Sequence, residues 1–260
     1  MGSIKLQVQM GGTIARVALN RPEKSNMFDR EMLRELGDVV RGVGDSEKVR
    51  LLVIEGAGTA FCAGADLHAV PPSDSLSGYL GVVSKAFHSV LAYLSDCPAL
   101  VMTVVNGTAA GGGFSLALAG DLRLGTPQAQ FLVGYGRAGL SVDGGLSWRL
   151  PRLVGMAQAQ RLLFEDPGVG AEEARSLGIL HRVVPAADLP RAIEEVAGRL
   201  RLQARSVIAR NRELLLGSQA KTLAGAFEAE TIFMKTSAGT DDGQEGVRAI
   251  LEKRAPKFGS

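Results

Sequence analysis

The sequence holds two cysteines, Cys62 and Cys97, among 260 residues, too few for a disulfide framework or a multi-cysteine metal site. They read as buried or incidental thiols. Its histidines, His68, His88 and His181, lie far apart without ligand spacing, so no metal is expected. Basic and acidic side chains nearly cancel, leaving a formal charge of +2, which gives no electrostatic reason to expect nucleic acid or a membrane surface as a partner. No apolar run approaches the roughly 18 residues of a membrane helix. The polar opening from Met1 to Gln9 lacks the apolar centre of a signal peptide. A cytoplasmic protein is the expectation. Aromatics are scarce at 5% and none interleaves Arg199, Arg201, Arg205, Arg210 and Arg212. Flanked by Glu194, Glu195 and Glu213, that stretch reads as a solvated or subunit-facing helix surface rather than an RNA-binding strip. Two familiar motifs are missing as well, and a third is not in its working place. No Gly-x-Gly-x-x-Gly joins a first strand to its helix, which disfavours a dinucleotide site. There is also no Gly-x-Ser-x-Gly elbow and no Walker sequence.

What the chain has in excess is glycine, 33 residues or about 13% against a usual share of about 7%. The glycines have no three-residue period, so collagen is excluded, and the 46% apolar content excludes disorder. Residues 4 to 19 read as a hairpin about Gly11-Gly12. Met32, Leu33, Leu36, Val39, Val40 and Val43 recur at helical spacing after Asp29, and Leu51 to Ile54 is a continuous apolar run, which is an α-helix feeding a buried parallel strand. A helix over about 76–94 precedes a strand over 100–105, and a short helix after Gly113 precedes a strand over 121–125. This alternation predicts an α/β core over residues 1–190. Residues 191–260 are helical in pattern over 190–202, 206–216 and 243–253. Such a tail has little core of its own and must bury its apolar faces elsewhere, so oligomerisation is expected.

Two glycine-rich segments follow predicted strands. One runs from Gly56 through Phe61, Cys62, Ala63, Gly64, Ala65, Asp66, Leu67 and His68; the other from Asn106 through Gly111, Gly112 and Gly113 into a helix. Small residues let a ligand approach the backbone, and free N–H groups beside a helix N-terminus attract developing negative charge. Two converging loops are an oxyanion hole in outline, although glycines of this kind also simply turn a chain.

With these loops, Asn20-Arg21-Pro22 and Asn26, the stretch from Gly139 to Gly145 running into Leu150 to Gly155, and the closing Glu245-Gly246 to Phe258, the chain resembles the crotonase (enoyl-CoA hydratase/isomerase) superfamily over nearly its whole length. The resemblance implies an α/β fold of repeated ββα units with a C-terminal helical region that forms trimers or dimers of trimers. It implies an acyl thioester of coenzyme A or acyl carrier protein as substrate carrier, with no further cofactor. By the same resemblance the N–H groups of Ala65 and Gly112 stabilise a thioester enolate. Ala63, Asp66, Leu67, His68 and Gly111 border the thioester, and Lys24 meets the nucleotide end.

Hydratases of that superfamily carry two glutamates at positions that are Ser115 and Tyr135 here. Neither is a carboxylate, so reversible hydration is not expected. Ser115 reads as a small residue at the former water site. Tyr135 reads as a pocket-lining aromatic rather than an acid, its phenol having an ordinary pKa near 10, but one counted with the catalytic group because it can donate a hydrogen bond to a substrate carboxylate or to Asp143. Asp143 remains, where dienoyl-CoA isomerase relatives place a catalytic aspartate. It reads either as a proton shuttle for double-bond migration or as a cap for a helix starting at Gly144. The expected activity is thus an acyl-thioester isomerase. The alternatives are decarboxylation or dehydration of a branched acyl thioester, with Tyr135, Tyr79 or Lys85 positioning a carboxylate, and a non-catalytic thioester-binding homologue. Trp148 and the run from Leu150 to Val154 read as core.

Overall fold

The computed structural model describes residues 2–259. The chain opens with β1 (Ile4–Gln9), β2 (Ile14–Leu19) and α1 (Arg30–Asp45). Three ββα units follow: β3 (Leu51–Gly56), β4 (Ala60–Cys62) and α2 (Leu76–Asp96); β5 (Leu100–Val105), β6 (Thr108–Ala110) and α3 (Gly112–Ala117); β7 (Leu122–Gly125), β8 (Gln130–Leu132) and α4 (Leu146–Val154). Next come α5 (Met156–Phe164), β9 (Val169–Gly170), α6 (Ala171–Ser176) and β10 (Arg182–Val183), and the chain closes on α7 (Leu189–Leu200), α8 (Arg205–Ser218), α9 (Leu223–Ala238) and α10 (Asp241–Leu251). The first strand of each unit joins a six-stranded sheet ordered β1-β2-β3-β5-β7-β10, and the second joins a four-stranded sheet ordered β4-β6-β8-β9. Pairing is parallel except for β1 with β2 and β8 with β9. The α/β fold of repeated ββα units is therefore present. No helix among the described residues is long and apolar enough to cross a membrane.

Local chemistry accounts for these elements. The hairpin pairs Ile4 with Leu19 in register and turns at Gly11, whose φ of +67° suits glycine. Asp29 caps α1 by accepting from the Met32 N–H at 2.9 Å, and Met32, Leu33, Leu36, Val40 and Val43 lie on its buried face. The run from Leu51 to Ile54 is wholly buried because β3 is covered on both sides. Leu52 and Ile54 pack with the α1 and α2 side chains, while Leu51 and Val53 pack with Ala192, Ile193 and Leu200 of α7. A parallel sheet needs both covers, so the helical tail begins by closing the chain's own core.

Helix α8 is fastened by one buried guanidinium. Arg212 donates to the carbonyls of Leu94 and Cys97 at the end of α2 and forms an ion pair with Asp121 at 2.6 Å. A cation there also meets the negative end of the helix dipole. Asp121 in turn accepts from the Val101 N–H at 2.7 Å, so one contact joins α8, α2 and β5. Beyond it α9 has no buried residue, and Leu223, Phe227, Ile232 and Met234 stand exposed, as do Val247, Ile250 and Leu251 of α10.

Two expectations need correction. Trp148 is not core: Leu146 and Leu150 take the inward face of α4, which turns Trp148 outward to 43% exposure beneath the Arg152 guanidinium, 4.2 Å from its ring. The closing region contains α9, which the sequence reading did not separate as an element; its polar and apolar residues are mixed around the axis and give no period to detect.

Replacing Arg212 by methionine leaves Asp121 and two helix-end carbonyls without their partner. Removing one member of such a buried pair costs about 3 kcal/mol, so the R212M urea midpoint falls well below that of the parent. An unchanged midpoint would show that the contact does not fasten the tail.

Candidate active site

Strands β4 and β6 run parallel and adjacent, with Ala60 opposite Thr108 and Cys62 opposite Ala109. The segments leaving their ends, 63–66 and 111–112, are therefore side by side. Phe28 bridges Ala65 in parallel: its N–H donates to the Gly64 carbonyl at 2.8 Å and its carbonyl accepts from the Asp66 N–H at 2.8 Å. A bridge of this kind uses the groups flanking Ala65 and leaves the Ala65 N–H facing the other way. Gly112 is the first residue of α3, where helical N–H groups have no partner within the helix. Neither amide has a protein acceptor among the described residues.

Glycine is required where the two loops meet. At Gly64, with φ of +91°, a Cβ would come within 3.1 Å of the Gly112 nitrogen. At Gly112 a Cβ would stand 2.5 Å from the Phe28 ring. The two free N–H groups are thus held near each other by contacts no larger residue permits. They border a cavity of about 440 Å³ lined in part by Ala63, Ala65, Leu67, Gly111, Gly112, Tyr135 and Asp143.

Asp143 reaches this cavity on the turn between Gly139 and Gly145. It does not cap α4, which starts at Leu146 behind Gly145 with no side-chain cap. Its Oδ1 accepts from the Ser84 hydroxyl at 3.1 Å and lies 2.6 Å from His88 Nε2. Ser84 and His88 are one turn apart on α2 and share a face. Oδ2 has no partner among the described residues. Of the side chains lining the cavity, Asp143 is the one carboxylate.

The positions where the resemblance expects glutamates are occupied by neutral groups. Ser115 is fully buried and donates to the Asp143 carbonyl at 2.7 Å, bracing the turn that carries the carboxylate. Burial pushes the Tyr135 phenol up to about 12, the nearby Asp143 charge adding to the effect and a hydrogen bond with Ser115 opposing it. The phenol stays protonated at neutral pH.

Below the Ala65 loop lies a charged brace. Asp66 is fully buried, accepts from Arg21 and Lys24 at 3.0 Å each, and accepts the His68 N–H at 3.1 Å. Burial works to raise its carboxyl, but the Lys24 ammonium, the Arg21 guanidinium and the His68 amide outweigh it and hold it below the usual value. Asp66 therefore anchors the loop rather than lining the cavity. Lys24 reaches Asp66 while remaining 44% exposed, and His68 is exposed at the loop's outer edge. The buried Tyr79 donates its hydroxyl to the Asp66 carbonyl at 2.9 Å, and Lys85 is exposed on α2 outside the cavity, so neither stands ready for a substrate carboxylate.

The sequence reading weighed His88 only as a metal ligand and missed its pairing with Asp143. A signal was present: Ser84 and His88 are four apart on the face of α2 left over when Val83, Phe87, Val90 and Leu91 turn inward. Nothing in the sequence shows that the turn at 143 meets that face.

The chain resembles known proteins across its length. A family model described as enoyl-CoA hydratase/isomerase matches residues 9–260. The 1,2-epoxyphenylacetyl-CoA isomerase of Escherichia coli is 31% identical over 247 residues, with 94% of each chain covered. The 4-chlorobenzoyl coenzyme A dehalogenase-2 of an Arthrobacter species is 30% identical over 197 residues, covering 75% of this chain and 71% of that one. Among solved structures, an enoyl-CoA hydratase from Bacillus anthracis superposes with a TM-score of 0.92 at 25% identity, covering 99% of both chains. With its two sheets, its ββα units and its paired loops, the chain belongs to the enoyl-CoA hydratase/isomerase family.

Proposed function

We propose that this chain isomerises an unsaturated acyl-CoA thioester, moving a double bond through an enolate. The observation that carries the reading is one cavity holding two unpaired amides and a single carboxylate with a free oxygen. The thioester oxygen is received by the Ala65 and Gly112 N–H groups, each donor of this kind being worth about 3 kcal/mol to a transition state in which charge gathers on that oxygen. Asp143 Oδ2 removes a proton from one carbon, the electron pair enters the enolate, and the same oxygen returns a proton at another carbon. Double-bond migration involves no net oxidation, so the reading calls for no redox cofactor. Hydration would need a second group to hold and activate water. Ser115 spends its proton on the Asp143 carbonyl and Tyr135 stays neutral, so neither replaces a glutamate. Decarboxylation is less well served, because no lysine or arginine among the described residues lines the cavity to receive a substrate carboxylate.

The Asp143–His88 pair favours a second reading. An aspartate held at Oδ1 and free at Oδ2 is also a nucleophile. Attack on an aryl carbon conjugated with the thioester would push electrons onto the oxygen held by the two amides and then expel a halide. Water would cleave the resulting ester. The dehalogenase among the relatives makes 4-chlorobenzoyl-CoA the probe for this chemistry.

Incubation with 3-hexenoyl-CoA in heavy water is expected to give 2-hexenoyl-CoA carrying deuterium. In Asp143→Asn that rate falls by about 10²–10⁴-fold, the usual contribution of a positioned acid/base group, while thioester affinity is kept. An unchanged rate in the variant would remove Asp143 from the mechanism. With 4-chlorobenzoyl-CoA, no chloride release is expected. Release that disappears in Asp143→Asn would replace isomerisation by substitution.

A further inference from the structure

The second hydrogen-bonded neighbour of the cavity carboxylate has a consequence for where its proton goes. Behind the cavity, on the far side of Asp143, lies a separate open groove lined by His88, Leu91, Gly144, Gly145, Trp148 and Arg149. Asp143 and Ser84 face the cavity, whereas His88 faces the groove. The 2.6 Å contact between His88 Nε2 and Asp143 Oδ1 spans the wall between them. The wall is tight elsewhere: a Cβ on the buried Gly144 would stand 2.3 Å from the Phe87 ring and 2.8 Å from the Ser115 Cβ, which leaves no room there for a file of water. The His88 side chain is 55% exposed and that of Asp143 only 32%.

Resting on the isomerase reading, we infer that His88 is a proton port that joins the cavity carboxylate to solvent in the groove, so that the proton delivered to product comes from water rather than from substrate. The steps balance. The C–H electron pair goes into the enolate and the proton goes to Asp143. A half-turn of the carboxyl about its Cβ–Cγ bond offers that proton to Nε2 of His88, which accepts it when the ring carries its own hydrogen on Nδ1. Asp143 is a carboxylate again, and the exposed imidazolium turns its ring into the groove, where the Nε2 proton it received exchanges with water, and turns back. A solvent proton returns by the reverse steps and is delivered to the far carbon. His88 touches no substrate; it acts through Asp143 and is a positioning residue.

The probe is 3-hexenoyl-CoA deuterated at carbon 2, turned over in ordinary water, with the product examined for deuterium at carbon 4. The parent protein is expected to give product with little label at carbon 4. In His88→Gln, which still hydrogen-bonds Asp143 but cannot relay a proton, label retention rises severalfold, and added imidazole lowers it again. A purely structural role for His88 would change the rate without changing this partition. Retention equal in parent and variant, high retention in the parent, or loss of turnover in His88→Gln that imidazole does not restore would each overturn the port. Conversion by the parent with equal retention leaves the isomerase reading standing, whereas no conversion by the parent removes both.

Discussion

The parallel pairing of β4 with β6 is the contact on which the site depends. Each strand is three residues long and has little stability of its own. Their value is directional, because parallel neighbours end at the same edge, so the chain leaves both in the same place with its next amides adjacent. Phe28 then uses up the backbone groups on either side of Ala65, and α3 begins at Gly112 before helical bonding can claim its N–H. Two donors stay free without being strained into position. They are unbonded because the secondary structure around them is already complete. Donors fixed in advance cost no reorganisation when charge develops, which is where such sites gain most.

The carboxylate is positioned by a different means. The turn that brings in Asp143 has no regular structure, and three contacts compensate. Ser115 holds its carbonyl, and Ser84 and His88 hold one side-chain oxygen. Two of these come from α2 and one from α3, the helices that follow β4 and β6. The turn that carries Asp143 is therefore tied to the helices that follow the two strands whose ends hold the amides.

Much of the large sheet was legible in the sequence, because long apolar runs and helical periodicity are averaged over many residues. The hairpin, α1, β3, α2 and β5 all fall where the pattern put them. The second sheet was not, since strands such as Gln130–Leu132 or Val169–Gly170 are too short to show alternation. The two loops with free amides announced themselves through glycine, where a missing side chain is itself the signal. Asp143 was visible as the remaining carboxylate, but that it does not cap α4 shows only in the later start of that helix and in the side chain turning to α2. His88 was invisible as its partner because the two are 55 residues apart, and no local rule couples a helix face to a distant turn. Trp148 misled because size and hydrophobicity say nothing about which way a helix is rotated.

Ser115 and Tyr135, at the positions where the resemblance expects glutamates, also change the charge of the site. Ser115 is fully enclosed, and an ionised side chain in that place would lose its hydration. It would also stand beside Asp143, where the two like charges would repel each other and compete for the same proton. With a neutral hydroxyl there, and a phenol that burial keeps protonated, Asp143 is the one carboxylate among the described residues that line the cavity. On the isomerase reading, a negative charge forming on the thioester oxygen has one anionic neighbour rather than three. On the isomerase reading, the site gives up water activation for a single carboxylate with one histidine behind it.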